Sequence, residues 1–424
     1  MNFLEFAVWG AYLTSMGIFL ASAGFADKIG WFYATQGFVS LFMPAVIGII
    51  ADRWVPAQKM LGLCHLLAAV FIAGAAFCGA QEVISFRNLF ICYTLSVAFY
   101  MPTLALSNSV AYTALRQQNL DTVKVFPPIR VFGTVGFICA MWITNFAHFA
   151  QSYTQWYFSA ALGIVLGLYC FTLPNCPTNT EEAKTLSEAL GLKAFALFKE
   201  KKMAVFFVFS MLLGMSLQIT NGFAGLFISS FNTLAGYTGS WGANNATALV
   251  SLSQISETLC ILLIPFFLKR YGIKKVMLIS MLAWVLRFGF LGLGNPSTAM
   301  GIVLLVASMI VYGVAFDFFN VSGSLYVDQE VDPSIRSSAQ GVFMLMTNGF
   351  GAAIGSLAAQ KVINCLVNAH MDASAMVDGV YPAELSKQIM TGWSNSWFIF
   401  AGFALVVAVL FAIFFKYKHT PQAN

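Results

Sequence analysis

The stretch Val311-Tyr-Gly-Val-Ala-Phe-Asp-Phe-Phe-Asn-Val-Ser-Gly-Ser324 lies inside an apolar segment from about Met300 to Tyr326, yet it carries an aspartate, an asparagine and a tyrosine. About 20 apolar residues suffice for a helix to cross a bilayer, and a carboxylate at the centre of such a helix costs at least ~2.5 kcal/mol on insertion scales. Asp317 is therefore expected to face a protein cavity on the path of an ion or solute.

The rest of the chain has the composition such a segment requires. Of 424 residues, 59% are hydrophobic and 9% charged, and the mean hydropathy is +0.78; a soluble domain has roughly a quarter of its residues charged. The chain reads as an integral membrane protein. The run Leu4 to Ala21 ends in Ala21-Ser22-Ala23, which mimics a signal-peptidase site, but no Lys or Arg precedes it, so it reads as the first span. The eight cysteines are scattered, with no C-x-x-C pair and no histidine at zinc-ligand spacing, so neither a metal nor a redox cofactor is expected. The net charge of +5 reads as a topology signal rather than affinity for nucleic acid.

Apolar segments of spanning length occur at roughly 3–22, 31–51, 59–79, 87–113, 128–149, 154–173, 203–231, 245–268, 275–294, 300–326, 337–367 and 393–415. They predict an all-α membrane protein of twelve transmembrane helices. Basic residues fall in alternate connections, with Arg53, Arg116, Lys193, Lys202, Arg270, Lys275, Arg336 and Lys416 on one side and only Lys28, Arg87 and Lys387, with Lys361 near a helix end, on the other. The positive-inside rule then puts both termini in the cytoplasm. Residues 174–202 form the one long connection, opening on Pro174-Asn-Cys-Pro177; Thr185 to Glu188 fits a capping box, and Leu190 and Phe198 among lysines suggest a short interfacial helix. This divides the chain into a six-helix bundle at 1–173, a linker at 174–202, and a second bundle with a short tail at 203–424. A faint repeat supports the division: Tyr100 and Asn108 match Tyr312 and Asn320, and Ile129-Arg130 matches Ile335-Arg336. Two six-helix bundles joined by a long cytoplasmic loop describe the major facilitator architecture, with its site at the midplane between the halves. Gly48-Ile-Ile-Ala-Asp-Arg53 resembles a degenerate copy of that superfamily's motif.

Five ionisable residues stand within or against the spans: Glu5, Arg130, Glu257, Arg287 and Asp317. Glu257 is about twelve residues from either end of its segment, hence ~18 Å deep at 1.5 Å per residue, with Gln254 on the same face. It reads either as a structural clasp or as an acid that loads and releases a proton. Asp317 continues into a polar stripe with Asn320 and Ser324, flanked by Tyr312, Phe316 and Phe319. Arg130 is open between two readings: it snorkels a turn inside the fifth helix, or it lies deeper if that helix begins near Asp121. Thr134 and Phe137 share its face. Gln218 and Asn221 pair at i, i+3 in the seventh helix, as a ligand site or as interhelical hydrogen bonds. Arg287 reads as a packing or snorkelling residue in a peripheral helix, and Glu5 as either interfacial or part of an inner gate. The carboxamides and aromatics, with at most one arginine, fit an uncharged solute bearing a planar ring and several hydroxyls better than a phosphorylated one.

Phe126-Pro-Pro-Ile-Arg-Val-Phe-Gly-Thr-Val-Gly-Phe137, Gln254-Ile-Ser-Glu-Thr258, Phe267-Leu-Lys-Arg-Tyr-Gly-Ile-Lys-Lys275 and Tyr312-Gly-Val-Ala-Phe-Asp-Phe-Phe-Asn320 together resemble the bacterial nucleoside:proton symporters of the major facilitator superfamily. The similarity extends to Met101-Pro-Thr103 and Ala339-Gln-Gly341 and covers nearly the whole chain. The resemblance implies that Arg130, Thr134, Phe137, Gln218, Asn221, Gln254, Glu257, Tyr312 and Phe316 bind the nucleoside, with Asp317 tied to proton coupling; burial makes Glu257 a second candidate for the proton. It also implies the deeper position for Arg130, and we expect Asp317 to face it across the bundle interface. The expected protein is a monomeric, proton-driven nucleoside importer of a bacterial inner membrane, with protons and lipid as its other partners and no cofactor. The alternatives are a transporter of another uncharged polar solute, such as a sugar, and a non-transporting receptor. An enzyme is not expected, since neither H-E-x-x-H nor G-x-S-x-G occurs at membrane depth.

Overall fold

The computed structural model describes residues 1–178, 192–332 and 335–417. Apart from two isolated bridges, Leu234 with Tyr381 and Val377 with Val380, the regular elements among these residues are helical. We number the spans α1 (Asn2–Gly10 and Met16–Ser22), α2 (Ile29–Ser40 and Met43–Arg53), α3 (Ala57–Gly79), α4 (Phe86–Tyr100 and Thr103–Gln117), α5 (Thr122–Phe146) and α6 (Thr154–Cys170). The second half comprises α7 (Lys201–Ser230), α8 and α9 (246–271 and 273–293), α10 (Ala299–Glu330), α11 (336–366) and α12 (Ala383–Phe414).

Eight helical stretches among the described residues are long and apolar enough to cross a membrane, or nine if the bent pair within 26–51 is one span. From nine, the split at Gly272, the short α6 and the interrupted α1 bring the count to twelve. The helix Ala246–Leu293 is two spans separated at Gly272, whose φ of 74° and ψ of 166° are non-helical and need a residue without Cβ. The span α6 has 17 residues, and α1 is interrupted by a turn at 11–15. Pro102 interrupts α4, because it has no N–H to give and its ring crowds the preceding turn.

Helix ends follow local chemistry more closely than hydropathy. Ser85 caps α4 by accepting from the Asn88 N–H, and Thr298 caps α10 by accepting from the Gly301 N–H. Helix α12 starts at Ala383 rather than near 393, because Pro382 sets its entry and a polar first turn extends it beyond the apolar stretch. Of the connection between halves, the Thr185 to Glu188 box lies outside the described residues. Leu192–Lys199 forms a short 3-10 helix packed on α7 and the start of α11, with Phe198 against Phe207 at 5.2 Å.

The two halves meet in a seam at the end of the molecule away from the chain termini. Gln360 accepts from the Gly30 N–H at 2.5 Å and donates to the Ala26 carbonyl at 2.9 Å, while Asn364 and Asn368 donate to the Asp27 and Ala26 carbonyls. On the other flank Trp142 donates to Ser251 at 2.8 Å and Asn145 to Asn245 at 2.7 Å. Each such bond contributes about 1 kcal/mol net, so this end is held shut by several small terms rather than one large one. The seam also depends on close backbone approach: a Cβ at Gly37 would lie 2.6 Å from the Ala353 nitrogen and the Gly349 oxygen. Overpacking of this kind costs about 1–3 kcal/mol, which is roughly 5- to 150-fold in an opening equilibrium. Gly37→Val is therefore expected to speed amide exchange in 26–40 and 352–366 while leaving α3 unchanged. Equal exchange in mutant and wild type would show that the seam is not a clamp.

Candidate functional site

The C-terminal wall is built by α8 and α10 in tight contact. A Cβ on Gly313 would fall 2.6 Å from the Ser256 carbonyl oxygen, so only glycine permits the approach, and Ser256 Oγ donates to the Ile310 carbonyl. That packing sets Glu257 beside Tyr312 and Asp317, close enough for electrostatic interaction with both. Asp317 is 3% exposed, and its Oδ2 has no hydrogen-bond partner. Tyr312 stacks on Phe316 with centroids 6.0 Å apart and meets the edge of Trp284 at 5.9 Å.

Behind Tyr312 stands Arg287, and of its two readings the packing one holds. It does not snorkel: it is fully buried, pointing from α9 into the bundle. Its Nη1 donates to the Ser308 carbonyl at 2.7 Å and to Ser253 at 3.3 Å, its Nε donates to Thr220 at 3.2 Å, and its Cζ lies 4.6 Å from the Tyr312 ring centroid. A desolvated cation over an aromatic face gains about 2 kcal/mol. Hydroxyls and a carbonyl thus take the place of a carboxylate partner and hold α7, α8, α9 and α10 around Tyr312.

The N-terminal wall is α5 packed on α1. Because α5 starts at Thr122, Arg130 lies about two turns inside it, which supports the deeper of the two readings. Its guanidinium sits 3.9 Å from the Phe6 ring centroid. Its principal electrostatic neighbour is Glu257 from the other half, with Tyr100 and Glu5 on its own. Against the expectation that Asp317 faces Arg130, the acid nearest in influence to Arg130 is Glu257, which also interacts with Asp317. Phe137 is buried edge-on to Trp9 at 6.4 Å, and Thr134, one turn after Arg130, is half-buried on the same helix.

From α7 and α8, Gln218 and Gln254 each present a buried amide oxygen without a protein partner, while Asn221 is half-buried one turn after Gln218. Buried acceptors left unpaired by the protein suit a ligand rich in O–H and N–H donors. The predicted polar stripe divides. Asn320 and Ser324, with Asp328, Gln340, Phe343 and Met344, line a cavity of about 490 Å³ towards the end that carries the termini, and Asp317 lies buried above it. Phe316 and Asn320 border a smaller recess with Leu217 and Trp284.

One ionisable group escaped the sequence reading. His65 is fully buried in α3 and bonded to Glu5 at 2.7 Å, which resolves Glu5 as an interior residue of the first half rather than an interfacial one. The rule that flagged Asp317 also covers a histidine inside a span, so the signal was present. Among the described residues no group of three His, Cys, Asp or Glu side chains could hold a metal ion.

Twelve helices in two halves, sealed at one end and cavity-bearing at the other, with acids and carboxamides at mid-depth, define a membrane solute transporter of the major facilitator type. A family model described as "Nucleoside H+ symporter" matches residues 1–420, and the chain belongs to that family. It is 44% identical over 422 residues to the nucleoside permease NupG of Escherichia coli, covering 99% of this chain and 95% of that protein. It is equally 44% identical over 425 residues to the xanthosine permease of Escherichia coli, covering 100% and 96%. A crystal structure of the nucleoside transporter NupG superposes with a TM-score of 0.85 over 98% of both chains. An inward-facing bacterial homologue of the human lysosomal transporter Spinster shares the fold, with a TM-score of 0.65 at 15% identity over 97% of this chain and 95% of that one.

Proposed function

We propose that this protein imports nucleosides together with protons across a bacterial inner membrane by alternating access, driven by the proton gradient without a cofactor. The reading rests above all on Glu257, an acid at mid-depth that senses Arg130 from the opposite half and Asp317 and Tyr312 from its own. Nucleoside bound at that junction would touch both halves at once, so its binding energy can differ between outward- and inward-open states. Arg130, Thr134 and Phe137 supply one wall; Gln218, Asn221, Gln254, Glu257, Tyr312 and Phe316 supply the other. The carboxamides grip ribose hydroxyls or base edges, and Phe137 or Phe316 stacks the base. Asp317 and Glu257 carry the proton.

With both termini in the cytoplasm, as the basic connections favour, the sealed seam faces outward and the 490 Å³ cavity faces inward. The halves 1–173 and 203–424 then rock about the site, joined by 174–202, within a single monomer. Labelled uridine should enter proteoliposomes faster, and accumulate, when an inward proton gradient is imposed. Uptake indifferent to the gradient removes the symport assignment; inhibition by a sugar but by no nucleoside removes the substrate assignment.

A further inference from the structure

The first half of the molecule encloses an acid and an imidazole that the nucleoside site does not use. Glu5 and His65 are both 0% exposed. His65 Nε2 lies 2.7 Å from Glu5 Oε2, and Thr103 Oγ1 donates to Glu5 Oε1 at 2.6 Å. Tyr100 donates from its hydroxyl to the Glu5 carbonyl at 2.8 Å, and the Thr103 hydroxyl also lies 2.6 Å from the Tyr100 carbonyl. His65 Nδ1 has no partner.

We propose that Glu5, His65 and Thr103 form a second proton-binding site, in the first half and separate from Asp317 and Glu257, that takes up and releases one proton. The geometry serves two protonation states without moving a heavy atom. With Glu5 ionised, Thr103 donates to Oε1 and the Nε2–H donates to Oε2. With a proton on Oε1, the acid donates to Thr103 Oγ1, whose hydrogen turns to the Tyr100 carbonyl. A proton can instead bind the Nδ1 lone pair, where it breaks no existing bond and makes an imidazolium against a carboxylate. Either way one proton binds, the buried pair passes from net negative to neutral, and nothing else is transferred. A purely structural clasp would be better served by a neutral amide, since a buried ion pair gains little over uncharged packing.

Among the described residues, the titratable and charged groups facing Glu5 include the Met1 amino group, Cys64 from α3, Tyr100 from α4, Arg130 from α5 and Cys170 from α6. Arg130 is the permanent cation among them and belongs to the proposed nucleoside wall. Tyr100 packs on Trp9 at 5.9 Å, and Trp9 on Phe137 at 6.4 Å. Loss of charge at Glu5 would therefore act on Arg130 through the field and on Phe137 through packing.

The chain has four histidines, so the full-length protein labelled with nitrogen-15 histidine in nanodiscs gives a spectrum in which His65 is assigned by replacing His148, His370 and His419 one at a time. The His65 ring nitrogens should show a step as the pH is varied, large at Nδ1 if the imidazole takes the proton and smaller at Nε2 if Glu5 does. Glu5→Gln should abolish or displace that step, and Asp317→Asn should leave it in place. A His65 signal that stays in one state across the range in the wild type overturns the proposal, whether or not any variant folds. A step unmoved by Glu5→Gln, or lost in Asp317→Asn, overturns it as well. Since the readout is the imidazole itself, it stands apart from the outcome of the uridine uptake test.

Discussion

Asp317→Asn is expected to abolish concentrative nucleoside uptake while leaving exchange of internal for external nucleoside measurable. Asparagine keeps the size of the side chain and an acceptor oxygen but cannot gain or lose a proton. Asp317 is buried with one carboxylate oxygen unpaired, so its ionised form stands uncompensated in a medium that penalises charge by several kcal/mol. A proton there changes the relative energies of the two transport states, and each ~1.4 kcal/mol of that change shifts their ratio tenfold. Without it, binding and rocking persist but the gradient no longer drives them. The check is the ratio of internal to external labelled uridine in vesicles with an imposed gradient, measured beside counterflow exchange. An unchanged accumulation ratio would falsify the assignment of Asp317.

Glu257→Gln is expected to weaken uridine binding by about 10- to 100-fold, the equivalent of a charged hydrogen bond worth about 1.5–3 kcal/mol. Arg130→Gln should do the same from the other half. The two charges interact across the junction, so removing either leaves its partner poorly compensated inside the membrane. The double variant should therefore recover part of the thermal stability lost by each single one, as coupled neighbours do. Calorimetric titration with uridine and a double-mutant cycle on melting temperature separate the two effects. Wild-type affinity in Glu257→Gln would reduce Glu257 to a counter-ion. Additive losses of stability would mean that the pair does not interact.

Much of the site was legible one residue at a time because the bilayer makes each intramembrane charge an anomaly. Asp317 and Glu257 stood out in this way, and both are brought together by α8 and α10. Arg287 stayed open between packing and snorkelling because helix order makes α9 peripheral, while the direction of its side chain depends on Thr220, Ser253, Ser308 and Tyr312 from three other helices. Glu5 stayed open for the same reason: its partners His65 and Thr103 are 60 and 98 positions away. The unexpected start of α12 at Ala383 has a different cause, since hydropathy marks where lipid begins and the helix continues past it.

What the sequence determined by itself is the part of the physics that is local. Apolar length against bilayer thickness set the spans, the alternation of basic connections set the expected topology, and the cost of charge in hydrocarbon marked Asp317 and Glu257. The tertiary structure decided which charges meet. It placed Glu257 rather than Asp317 opposite Arg130, turned Arg287 inward onto Tyr312, closed the seam through Gln360 and Gly37, and paired Glu5 with His65. These are contacts between helices far apart in the chain, governed by glycine-permitted approach and side-chain direction, and neither hydropathy nor helical spacing along one segment carries that information.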